Sequence, residues 1–154
     1  MIRQRVILLL ASIVMLFSCT TGTLYEETLV IGPSGWNQDD FLSFSISVED
    51  TIGHYDFSLL VRNDARYNYS NLFLFIRTTA PAGQEIKDTI EIRMADERGK
   101  WLGKGIGGKY TRKIPFKTQV KFPQKGSYTI EIEQGMREEN LEYITDLGLS
   151  VTKM

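Results

Sequence analysis

Two reactive residue types are almost missing from this chain. Its 154 residues hold one cysteine, Cys19, and one histidine, His54. A lone cysteine cannot close an intrachain disulfide, so packing alone must stabilise the fold even in an oxidising compartment. His54 lies in the polar stretch 49–54 and reads as a solvated side chain. No His/Cys spacing matches a metal site, no serine sits in a nucleophile elbow, and no second histidine is present to partner one. The carboxylate pairs Asp39-Asp40 and Glu138-Glu139 are sequence neighbours, which point opposite ways on a strand, so neither forms an acid/base dyad. The reading is therefore non-enzymatic: no catalytic residue, no metal ligand and no small-molecule cofactor are expected. A hydrolase drawing carboxylates from separate strands is the outlying alternative.

Charge of one sign is missing too. Lysine and arginine total 18 against 19 acidic residues. Such a balance lacks the basic footprint of a nucleic-acid binder. A sustained helical period is also absent; the best helix candidate is the short stretch 137–143. The longest apolar run, residues 6–17, falls short of the ~20 residues a spanning helix needs.

That run has another meaning. Arg3 and Arg5 precede it, and Leu16-Phe17-Ser18-Cys19 ends it. A basic start, a short apolar segment and small residues at a cleavage point mark a secretory signal. A cysteine directly after the cleavage point marks the lipoprotein form. Residues 1–18 are thus expected to be a cleaved lipoprotein signal peptide, with Cys19 the lipid-bearing N-terminus of the mature chain. Residues 19–24 read as a lipidated tether and 25–154 as one domain. Removing Arg3 and Arg5 leaves 16 basic against 19 acidic residues, a net charge of −3.

The domain is expected to be all-β. Apolar and serine residues alternate without error in Phe44-Ser45-Ile46-Ser47-Val48, and Tyr55, Phe57, Leu59 and Val61 repeat the rhythm. Period two buries one face of a strand and wets the other. Residues 25–31, 90–94, 109–122, 128–132 and 147–151 also read as strands. Residues 72–76 form a continuous apolar run, read as a central strand covered on both faces or as a buried helix segment. Pro115 demotes its strand to an edge or a bulge. Eight or so short strands separated by turn signals argue a single antiparallel β-sandwich, with jelly-roll-like and Ig-like orders both open.

Gly103, Gly105 and Gly108 satisfy the GxGxxG spacing, but strand pattern rather than a helix follows. A dinucleotide loop needs that helix, so the segment reads as a glycine-rich strand edge. Asp96-Glu97-Arg98-Gly99 before it reads as a turn with Gly99 at positive φ. Trp36, Tyr67, Tyr69 and Trp101 stand near loops. They are either an exposed platform touching a protein partner or a glycan, or aromatics folded back over the core.

Several separated segments carry a resemblance. They are Val61-Arg62-Asn63, Tyr69-Ser70-Asn71-Leu72, Asp88-Thr89, Ala95-Asp96 with Gly99-Lys100-Trp101-Leu102-Gly103-Lys104-Gly105, Glu133-Gln134-Gly135-Met136-Arg137, and Asp146-Leu147-Gly148. In this order they resemble the GldH family of gliding motility lipoproteins of Bacteroidota. The resemblance implies an envelope lipoprotein in the company of other gliding proteins, in machinery linked to type IX secretion. It implies no catalytic residue, only Cys19 as lipid acceptor, through which the chain meets the membrane. Thr20-Thr21-Gly22-Thr23 lacks the acidic cluster of surface-exported lipoproteins, which favours the periplasmic face of the outer membrane. Trp101 is expected to plug the core beside its glycines and Arg137 to cap a bend. A glycan-binding lipoprotein is the alternative function.

Overall fold

The computed structural model describes residues 22–154. The expected signal peptide, residues 1–18, and Cys19 lie outside the described residues. Eleven strands follow in order: β1 Thr23–Val30, β2 Trp36–Asn37, β3 Leu42–Val48, β4 Tyr55–Asp64, β5 Asn71–Thr79, β6 Glu85–Arg93, β7 Lys104–Ile106, β8 Lys109–Val120, β9 Gly126–Gln134, β10 Asn140–Leu141 and β11 Ile144–Lys153. Thr23 and Leu24, read from sequence as tether, already belong to β1.

Every pairing is antiparallel. One sheet runs β1-β11-β4-β8-β7, a second runs β3-β9-β5-β6, and β10-β2 form a small ribbon. The all-β sandwich-like expectation is met. Alternation supplies the core between the sheets: Phe44, Ile46 and Val48 from β3 meet Leu59 and Val61 from β4, all fully buried, while Ser43, Ser45 and Ser47 face water. Chain order and sheet order differ because the chain crosses between sheets at β3–β4, β4–β5, β6–β7 and β8–β9.

Three expectations change. Residues 137–143 are not helical. Asn140 and Leu141 pair with Asn37 and Trp36, and Gln38 N–H donates to Glu139 C=O at 2.8 Å. One leucine gives too narrow an apolar stripe for a helix face, and the ribbon buries it together with Trp36. Residues 72–76 do form a strand between two neighbours, but only one face is covered. Leu72, Leu74 and Ile76 are buried, whereas Phe75 is 47% exposed. The count of strands also exceeds eight, because β2, β7 and β10 are too short to show a period.

Pro115 behaves as a strand proline should. The β4–β8 register shifts around Phe57, and past the short β7 pairing β8 is the outer strand of its sheet. On that side Lys117 of β8 and Asp88 of β6 meet between the sheets at 2.5 Å. Inward charges, a bulge and a proline are devices that blunt sheet edges against further strand pairing.

The register fixes two ends. Thr23 pairs with Thr152, Tyr55 with Lys153 and Val120, and Val48 with Gly126. These residues mark the end where the chain enters from the tether. Val30, Asp64, Asn71, Arg93 and Gln134 lie toward the opposite end.

Candidate functional site

Trp36 is interior rather than part of an exposed platform. It is 2% exposed, and its indole Nε1–H donates to the Asp40 carbonyl at 3.0 Å, satisfying the only polar atom it buries. Tyr67 is interior as well, at 4% exposure, with its hydroxyl donating to Asn71 C=O at 2.9 Å. Burial pushes the Tyr67 phenol far above its ordinary value. Both corrections share one cause: large aromatics at strand ends contribute most when they close the core.

Tyr69 and Trp101 are half-buried. Trp101 stands between Tyr67 and Tyr110, with centroids 6.2 and 6.0 Å away and planes tilted by 41° and 37°, and Tyr69 meets Tyr67 edge-on at 66°. The structure thus gathers Tyr67, Tyr69 and Trp101 into one cluster and leaves Trp36 apart. The three rings are tilted against one another and are not coplanar.

The glycines beside Trp101 allow close backbone approach. A Cβ on Gly105 would stand 1.7 Å from the Lys109 carbonyl oxygen, so the β7–β8 hairpin closes only on glycine. Gly107 and Gly108 turn it with φ of 67° and 79°, as a two-residue hairpin turn requires. Gly99 has φ 77°, and the Asp96 carboxylate accepts from the backbone N–H of Arg98 and Lys100. Strands β7 and β8 surround the GxGxxG spacing, and no helix follows it.

A second glycine organises the opposite sheet. The buried Gln134 clamps the bend after β9: its amide oxygen accepts from Met136 N–H at 2.8 Å, and its Nε2 donates to Glu138 C=O at 2.7 Å. The bend's cap is therefore Gln134, not Arg137. Gly135 N–H donates to Phe73 C=O at 2.7 Å, and the Met136 sulfur accepts from Phe73 N–H at 3.3 Å. A Cβ on Gly135 would stand 3.1 Å from two ring carbons of Phe75 and 3.3 Å from Phe73 Cβ. The glycine thus lets the Phe75 ring lie over the bend.

The outer face of the second sheet now has a definite character. Phe73 and Phe75 of β5 occupy its middle, next to Gly135 and Met136. One cleft of about 560 Å³ is lined by Tyr69, Asn71, Phe73, Gly135, Met136 and Arg137. A neighbouring cleft of about 260 Å³ runs from Phe75 to Asp88, Thr89 and Glu133. Arg77 and Glu131 form an ion pair at 2.8 Å beside it. Glu133 and the exposed Arg137 have no ion pair among the described residues. Tyr69 donates its hydroxyl to Glu138, and that bond holds the phenol protonated above its ordinary range.

Comparison with known proteins bears on this arrangement. Residues 23–151 match the family described as GldH lipoprotein. The chain belongs to the GldH lipoprotein family. It is 34% identical over 155 residues to the gliding motility lipoprotein GldH homolog of Christiangramia forsetii, covering 96% of this chain and 94% of that one. It is 35% identical over 157 residues to the gliding motility lipoprotein GldH of Flavobacterium johnsoniae, covering 97% and 96%. Among solved structures, a family GH115 4-O-methyl-alpha-glucuronidase aligns with a TM-score of 0.42 at 12% identity, and this chain, 88% covered, spans 18% of that longer one. A score that low carries no argument about binding.

The segments that resemble GldH proteins divide by what they touch. Asn63 is buried, Arg62 pairs with Asp146 at 3.5 Å, and a Cβ on Gly148 would meet the Thr28 hydroxyl at 2.6 Å. Those residues hold β4, β11 and β1 together. Tyr69 and Asn71, Asp88 and Thr89, and Glu133 through Arg137 instead converge on the two clefts of the outer face. Reading the sequence missed Phe73 and Phe75, because an apolar run gives no sign of which members lack a cover.

Proposed function

We propose that this GldH-family chain is a non-enzymatic lipoprotein, anchored by lipid on Cys19 at the periplasmic face of the outer membrane. Its domain binds a protein component of the gliding motility assembly, in the envelope machinery linked to type IX secretion. The docking surface is the outer face of the β3-β9-β5-β6 sheet. One observation carries this reading. Phe75 is 47% exposed and Phe73 half-buried, between the clefts where the GldH-like segments meet. Apolar patches rimmed by polar groups mark protein interaction sites, and aromatic anchors dominate such interfaces. The blunted edges at Asp88, Lys117 and Pro115 favour docking on the face over strand addition.

Affinity recovery of the acylated chain from detergent-solubilised envelopes tests the reading. The wild-type chain is expected to bring down a reproducible envelope protein, and the Phe75→Ser chain much less of it. Recovery of no partner, or equal recovery with both chains, contradicts the proposal. A Cys19→Ala chain is expected to keep its fold and leave the outer-membrane fraction.

A further inference from the structure

The sequence displays no second anchor besides the lipid, but the fold brings exposed apolar side chains from separate loops to one end. The backbone N–H of Lys153 donates to Gly22 C=O at 2.6 Å, and that of Met154 donates to His54 C=O at 2.9 Å. These bonds bring the loop carrying Ile52 and the residue Met154 beside the entry of the tether. Ile52 is 83% exposed and Met154 68%. Further along the same end, Ile86 is exposed and lines an apolar depression of about 470 Å³ with Ala80, Pro123 and Tyr128.

Exposure alone does not decide what covers these side chains, since Val30 and Ile106 are as exposed toward the other end. The tether decides it. From Cys19 to Thr23 the chain advances four residues, which reach at most about 14 Å when fully extended. An acylated Cys19 sits at the membrane interface, so the end carrying Ile52 and Met154 is held within that distance of the bilayer. We propose that this end of the sandwich is a second membrane contact, with Ile52 and Met154 entering the interfacial layer of the bilayer. The inference rests on the lipidation of Cys19 in the reading above.

The chemistry of the contact is apolar. Lys121, Lys125 and Lys153 share this end with Glu49, Asp50, Asp56 and Glu85, and Lys153 is paired with Asp50 at 2.7 Å. These mixed charges form no basic patch for anionic headgroups, so high salt should change the contact little. Several acyl chains on Cys19 would hold the chain at the membrane, and a domain surface that enters the interface adds to that binding and orients the domain. The contact also stands the sandwich on its tether end. The bend after β9 and the cluster around Trp101 then lie at the end remote from the bilayer.

The experiment uses the full acylated chain in vesicles of phosphatidylethanolamine and phosphatidylglycerol, with one environment-sensitive fluorophore at Ile52→Cys or at Ile106→Cys. Acylation blocks the only native thiol, and both isoleucines are exposed, so either label leaves the fold intact. The label at position 52 is expected to be quenched several-fold less by aqueous iodide than the label at 106, in low and high salt alike. Equal quenching at the two positions, in a chain that carries acyl mass on Cys19 and floats with the vesicles, overturns this inference alone. A chain without acyl mass that does not float overturns the lipid reading and this inference with it.

Discussion

The ring of Phe75 lies over the backbone of Gly135, where a Cβ would stand 3.1 Å from two ring carbons. This contact joins the middle of β5 to the bend after β9 and shapes the aromatic face. Gly135→Val is therefore expected to push Phe75 aside. The stability cost should stay near 1 kcal/mol, because the displaced ring is already half in water. Partner recovery should fall far more than the melting temperature does. Chemical denaturation together with affinity recovery checks the pair of effects.

Neighbouring residues of β5 should separate core from surface. Leu74 is fully buried and Phe75 is 47% exposed. Leu74→Ala is expected to cost about 2–5 kcal/mol through lost burial and a residual cavity. Phe75→Ser should cost about 1 kcal/mol or less. Equal losses in denaturant midpoint would mean that the outer face is covered in the free protein.

The β7–β8 hairpin should respond to glycine substitution in a graded way. Gly105→Ala places a methyl group 1.7 Å from the Lys109 oxygen and must open the pairing. Gly107→Ala meets no atom within 4 Å and suffers only the strain of φ 67°, about 1–2 kcal/mol. Hydrogen exchange at Ile106 and Lys109 is expected to become fast in the first variant, with smaller change in the second. The remaining strands should keep their protection in both.

Acid should weaken the fold through two carboxylates. Hydrogen bonds from the Arg66 side chain and backbone hold Asp64 at about 2, against an ordinary value of 3.8. The Lys153 ammonium holds Asp50 lower still. A carboxylate whose folded value is depressed contributes stability above its unfolded value, and that contribution is lost as pH falls through the folded one. The melting temperature should lose this contribution between about pH 4 and pH 2. Asp64→Asn should start lower at neutral pH and lose less on acidification. The partner cations Arg66 and Lys153 are exposed, so the changes should be small and screened by salt.

Much of this fold was legible in the chain because burial on one face imposes period two. Phe44-Ser45-Ile46-Ser47-Val48 gave its strand and its buried face together. The turn at Gly99 was legible too, and that glycine sits at positive φ, whereas Gly107 and Gly108, read as part of a strand edge, prove to be the hairpin turn itself. The short ribbon β2–β10 was not legible, because Leu141 and Trp36 find each other across more than a hundred residues and leave no local period. The candidate site escaped reading on different grounds. Phe73 and Phe75 are apolar like Leu72, Leu74 and Ile76, so only the packing reveals which of them lie on the outer face. Trp36 and Trp101 look alike in sequence; one is sealed beneath the ribbon and the other half-open between two tyrosines. The GldH-like segments were readable as motifs, and the fold then separates those that brace strands from those that line the face.

Photo-crosslinking in intact envelopes tests the central claim most directly. A photoreactive phenylalanine analogue replaces Phe75 in the full acylated chain, and the same analogue at Ile106 serves as the comparison. A discrete protein adduct is expected from position 75 and none from position 106. No adduct from position 75, or the same adduct from both positions, contradicts the outer face as the docking surface.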